Sequence, residues 1–91
     1  MALHYTPEQI SFRREVREWI ADNMPAHIRQ RAEGGGQFHH EDQMEWHRVL
    51  YKQGWAAPNW PQEVGGTGWD TGKRHIFGEE TVRANAPALS P

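Results

Sequence analysis

The sequence predicts an all-α domain: about three helices joined by an extended loop rich in tryptophan, proline and glycine. Three observations carry this reading. Apolar residues recur at helical spacing in three separate segments. Helix start and stop signals bracket those segments. Between the last two, the stretch from Gly54 to Asp70 collects Trp55, Trp60 and Trp69 with Pro58 and Pro61. Indole rings favour burial, so this loop is expected to pack on something and not to act as a flexible linker.

Residues 1–5 read as a short lead-in. Thr6-Pro7-Glu8-Gln9 then starts a helix. Thr6 suits the cap, Pro7 the first turn, and Gln9 the return position of a capping box. Phe12, Val16, Trp19 and Ile20 share one face, and Arg13, Arg14, Arg17 and Glu18 are expected on a solvated surface. Pro25 ends the helix near Asn23 or Met24.

Ala26 to Gln37 reads as a connection with Gly34-Gly35-Gly36 as its hinge-like centre. A phosphate cradle there would need a preceding strand and a set glycine spacing, and neither is evident. A second helix is expected from about Phe38 to Gln53. Phe38, Asp42, Trp46, Val49 and Leu50 share its face, with Asp42 at the edge, and Gly54 is placed for a left-handed cap. His39, His40 and His47 raise a metal reading, because imidazole is a common ligand. The H-E-x-x-H spacing fails at Met44, so these histidines are expected to be exposed or capping.

Pro58 and Pro61 push the residues before them towards extended backbone. Gly65-Gly66-Thr67-Gly68 reads as a compact turn, since its spacing is not that of a dinucleotide loop. Asp70 or Thr71 caps a third helix, running from about Thr71 to Asn85. Ile76, Phe77, Thr81 and Ala84 form its apolar stripe, with Glu80 beside it. Glu79 and Arg83 are spaced for an ion pair. Neighbouring carboxylates on a helix diverge by about 100°, so Glu79 and Glu80 read as structural and not as an acid–base pair. Pro87 stops the helix.

The chain as a whole narrows the function classes. Its 91 residues allow one domain. A formal net charge of −2 gives no electrostatic reason to bind nucleic acid. With no cysteine there is no disulfide and no thiolate metal site, which suits a reducing compartment. The opening residues lack the pattern of a secretory signal, and no apolar run reaches the ~18 residues of a membrane span. A soluble, intracellular protein is expected.

The block of Leu50, Gly54-Trp55-Ala56-Ala57-Pro58, Trp60-Pro61-Gln62-Glu63 and Gly65-Gly66-Thr67-Gly68, followed by Phe77, Glu79-Glu80 and Arg83-Ala84, resembles the N-terminal region of the acyl-CoA dehydrogenase family. The opening helix, with Phe12, Val16 and Trp19, is similar but less specific. The resemblance implies a flavoprotein that introduces a double bond between the α and β carbons of an acyl-CoA thioester. In the family a glutamate base takes the α proton and FAD accepts a hydride. An electron-transfer flavoprotein as acceptor and a homo-oligomer are also implied, and the missing transit peptide fits a cytoplasmic enzyme.

Residues 1–91 are then expected to be part of the family's N-terminal helical domain, with its central β domain and C-terminal helical domain absent. No residue here matches the catalytic base, and Glu63, Glu79 and Glu80 do not occupy its position. No FAD contact and no metal ligand is assigned either. The segment's expected role is structural, packing on later helices and walling the substrate cavity, and the piece alone is expected to be inactive. The indoles and glycines of the loop are expected to form a seam against protein outside this chain, leaving the isolated chain self-associating or loosely folded. The alternative is a free-standing helical interaction module in which Trp55, Trp60 and Trp69 form a docking patch. A helix-turn-helix nucleic-acid binder fits worse, because the turn is far too long.

Overall fold

A computed structural model of the chain describes residues 5–58 and 60–87. The expected lead-in over residues 1–4, the extended backbone expected at Asn59 and the tail over 88–91 lie outside the described residues. The fold is all-helical: α1 (Pro7–Asn23), α2 (Ala26–Glu33), α3 (His40–Gln53), a single 3-10 turn (Gln62–Val64) and α4 (Thr71–Arg83). Among the described residues there is no strand.

The cap signals act as the residues dictate. The Gln9 backbone N–H donates to Thr6 Oγ1 at 3.1 Å, and the Thr6 N–H donates back to Gln9 Oε1 at 2.9 Å. α3 closes in a Schellman motif. Gly54 takes φ +85°, its N–H reaches the Tyr51 carbonyl, and the Trp55 N–H reaches that of Leu50. Asn85 plays the same part after α4 with φ +54°. Its N–H meets the Val82 carbonyl, and the Ala86 N–H meets that of Thr81. Asp70, not Thr71, caps α4, accepting from the Lys73 N–H at 2.8 Å.

Several expectations need correction. The supposed connection from Ala26 contains the two-turn helix α2. It holds because Ile28 and Ala32 are both buried, so packing supplies what so short a helix lacks alone. α3 starts at His40, leaving Phe38 outside it but packed on the core. Asp42 is buried and not at an edge, because its carboxylate accepts from the His39 backbone N–H at 2.8 Å and from Arg31. The 3-10 turn was not foreseen. α4 ends at Arg83, two residues early, where Asn85 turns left-handed.

The core is one cluster. Phe12, Val16, Ile20 and Met24 of α1 and its end meet Ile28, Trp46, Leu50, Trp55, Ile76 and Phe77. Two indoles of the aromatic loop pack into it, Trp55 buried and Trp69 half-buried. Trp55 stands 4.8 Å from the Trp19 ring, and Trp69 stands 5.1 Å from Phe12 and 5.2 Å from Phe77. Edge-on and tilted pairs of this kind add to the area they bury. Two of the three indoles of the expected outward seam are therefore turned inward, since α1 and α4 already offer an aromatic floor of Phe12, Trp19 and Phe77, while Trp60, Gly65 and Gly68 stay exposed. Of the three loop indoles Trp60, 57% exposed, faces outward, so the three-tryptophan docking patch does not form.

Candidate functional site

The polar centre of the molecule lies between α1 and α4. α4 carries Glu80 one turn beyond Ile76 and Phe77, so the apolar face that buries those two also buries the carboxylate to 2% exposure. α1 supplies the counter-charges from consecutive turns. Arg17 Nε donates to Glu80 Oε1 at 2.8 Å, and a second Arg17 nitrogen donates to Oε2 at 3.0 Å. Arg13 reaches the same Oε2 at 2.7 Å and Glu79 at 2.5 Å. His75 lies 3.3 Å from Glu79 on its other side.

Arg17, and then Arg13, hold the Glu80 carboxyl below the usual carboxylate range against the opposing effect of burial. Arg13 does the same for Glu79. In turn Glu79 and Glu80 raise the Arg13 guanidinium above its ordinary value. Both Glu80 oxygens are thus occupied by cations, and the group is a poor proton acceptor. A general base needs a reachable lone pair and a pKa near working pH. The arrangement is a brace between helices. Glu79 and Glu80 are both ion-paired across the helices, but the expected Glu79–Arg83 pair gives way to Arg13, and the Arg13–Arg17 face is a contact surface and not merely solvated. The signal was present: Glu80 falls on the Ile76–Phe77 face, and Arg13 and Arg17 flank Phe12 and Val16.

A second brace joins α2 to α3. Arg31 donates to Asp42, and His27 Nε2 lies 2.8 Å from Glu45 Oε1. The His39 backbone N–H is the largest influence lowering the Asp42 carboxyl, with Arg31 adding to it. His39, His40 and His47 are all exposed. Among the described residues, no three potential ligands gather for a metal ion.

The Gly65–Gly68 turn is not a phosphate cradle. Phosphate-binding glycine loops work through free backbone N–H groups. Here the N–H groups of Gly65, Gly66, Thr67 and Gly68 donate to the carbonyls of Gln62, Pro61, Ala57 and Trp60. The loop is closed on itself, and a Cβ on Gly66 would sit 2.0 Å from the Trp60 carbonyl oxygen. The cleft between α1, α2 and α4, bounded by Arg17, Ile20, Met24, Arg29 and Arg83, measures about 210 Å³. Wider hollows of about 390–610 Å³ lie against α1 and α4 and beside the Trp60–Trp69 turn, as open surface depressions. No residue described here is assigned to cofactor, metal or catalysis.

The family described as "Acyl-CoA dehydrogenase, N-terminal domain" matches residues 6–91. The chain is 39% identical over 80 residues to acyl-CoA dehydrogenase IpdE1 of Mycolicibacterium smegmatis, covering 84% of this chain and 20% of that protein. It is 38% identical to IpdE1 of Mycobacterium tuberculosis, covering 84% of this chain and 21% of that protein. With FadE26 of the same organism, also an acyl-CoA dehydrogenase, identity is 33% over 96% of this chain and 22% of that protein. The chain thus spans about a fifth of the length of the curated relatives it matches. No solved structure matches it.

Proposed function

Because the chain belongs to the acyl-CoA dehydrogenase N-terminal domain family, we propose that it is the first part of a flavin-dependent enzyme that desaturates an acyl-CoA thioester between its α and β carbons. The observation that carries this is the family match across residues 6–91, supported by relatives named as acyl-CoA dehydrogenases. The α-proton base and the flavin site belong to protein beyond the described residues, in a central β domain and a C-terminal helical domain. When bound, the flavin supplies the hydride acceptor.

The described residues set a frame. Glu80, Arg13 and Arg17 fix α4 against α1, and Asp42 with Arg31 fixes α3 against α2. A frame so pinned serves as one wall of a cavity closed by later helices. The complete enzyme is assigned to the cytoplasm as a homo-oligomer, with an electron-transfer flavoprotein as acceptor. No helix among the described residues is long and apolar enough to cross a membrane.

The test is to express the reading frame through and beyond Pro91 and to record its visible spectrum. A bound flavin band that bleaches anaerobically on adding an acyl-CoA is the expected result. A colourless product, or a flavin left oxidised by short, medium and long acyl-CoAs alike, would sink the reading. The 91-residue chain alone is expected to show neither band nor bleaching.

A further inference from the structure

Glycine is among the least favourable residues inside a helix, yet α4 contains two. Gly72 has a reason within the chain: a Cβ there would lie 2.7 Å from Gln9 Nε2 of α1. Gly78 does not. It lies six residues on, about 240° further round the helix. A Cβ there would meet nothing within 4 Å, and its φ is not in the left-handed region. One turn later Val82 is 79% exposed. His75, Glu79 and Arg83 complete an open depression over these two residues. Through Arg83 it continues into the cleft bordered by Ile20, Met24 and Ala84.

We propose that this face of α4 is the seat of a later helix of the same polypeptide, crossing α4 at Gly78 and covering Val82. The inference rests on the dehydrogenase reading above, and it adds which surface is covered and by what. The curated relatives are about five times as long as the stretch they share with this chain, so a covering element is available in the longer polypeptide. A helix suits the site because a residue without a side chain lets helix axes approach at the short end of the ~8–10 Å range. His75, Glu79 and Arg83 offer both signs of charge to the flanks of an amphipathic partner. A second copy of α4 fits poorly. Antiparallel pairing about Gly78 would set Val82 opposite Arg74, an apolar group on a cation.

The chain has no cysteine, so V82C introduces a single thiol into it. Its alkylation by a maleimide is followed by mass on the peptide that carries it, in the 91-residue chain and in the product of the longer frame. The expected result is fast modification in the short chain and modification slower by on the order of tenfold or more in the longer product. G78L is the second variant. It should leave the short chain's melting temperature unchanged or raised, and lower that of the longer product by several degrees.

Equal thiol reactivity in both proteins overturns the inference, as does a G78L effect of the same sign in both. Protection that appears in the short chain as its concentration rises, together with a dimer in sedimentation, overturns it in favour of a second copy. A longer product that bleaches with acyl-CoA yet leaves the thiol reactive refutes the inference alone. A longer product that protects the thiol but binds no flavin refutes the dehydrogenase reading alone. A frame that ends at Pro91 removes both.

Discussion

A carboxylate with almost no solvent contact survives in a fold only where cations and donors replace its water. Glu80 meets that condition with three contacts from Arg13 and Arg17. E80Q keeps the shape and removes the charge, leaving two guanidiniums facing a neutral amide. A loss of about 1.5–3 kcal/mol is expected, the range for hydrogen bonds to charged groups. The lower part of that range is favoured because Arg17 is half in solvent. Urea unfolding measures it. E79Q, at a far more exposed carboxylate, should cost distinctly less, since exposed ion pairs are screened. An E79Q loss equal to that of E80Q would mean that burial is not what gives the brace its weight.

The helix ends were the most legible elements, because a cap is a local agreement among few residues. Thr6 with Gln9, Gly54 and Asp70 each act where the sequence placed them. α2 was not legible. Its entry follows Pro25 with no side-chain cap, and its buried apolar content reduces to Ile28 and Ala32, spaced four apart. That pair is its only local sign, and its burial comes from the shared core, whose other members lie on α1, α3 and α4 and around them. The turn residues permit sharper expectations. At φ +85°, G54A should cost about 1–2 kcal/mol, the penalty of placing a Cβ in the left-handed region. G66A should do more than strain one residue. Its Cβ would overlap the Trp60 carbonyl, which also accepts from the Gly68 N–H, so the loop must open. Amide exchange is the measurement: protection should fall at Gly65 to Gly68 and hold in α1. Unchanged protection in the loop would contradict the closed turn described here.

At the level of the molecule, the all-α class and the family were readable, but the direction of the aromatic loop was not. The side on which Trp55 and Trp69 bury depends on Phe12, Trp19 and Phe77 converging from two distant helices, and no local pattern encodes that convergence. The charge pattern has a consequence at the same level. Glu79 and Glu80 join α1 to α4, while Asp42 joins α2 to α3, and all three carboxyls are held below their ordinary values. In the unfolded chain such groups take up protons near about 4.3 for Glu and about 3.9 for Asp. The folded state resists protonation until lower pH. The unfolded state therefore binds more protons in between, and stability falls as pH falls through that window. Above about pH 5.5 both states are deprotonated at these sites and contribute no slope. The urea midpoint should accordingly hold level from these groups between neutral pH and about 5.5, then drop steeply below about 4. E80Q should start lower at neutral pH and lose less on acidification, because one of the three protonation steps is gone. Parallel acid profiles for the two proteins would show that Glu80 is not held ionised by Arg17 and Arg13, and the brace between α1 and α4 would then have to rest on packing alone.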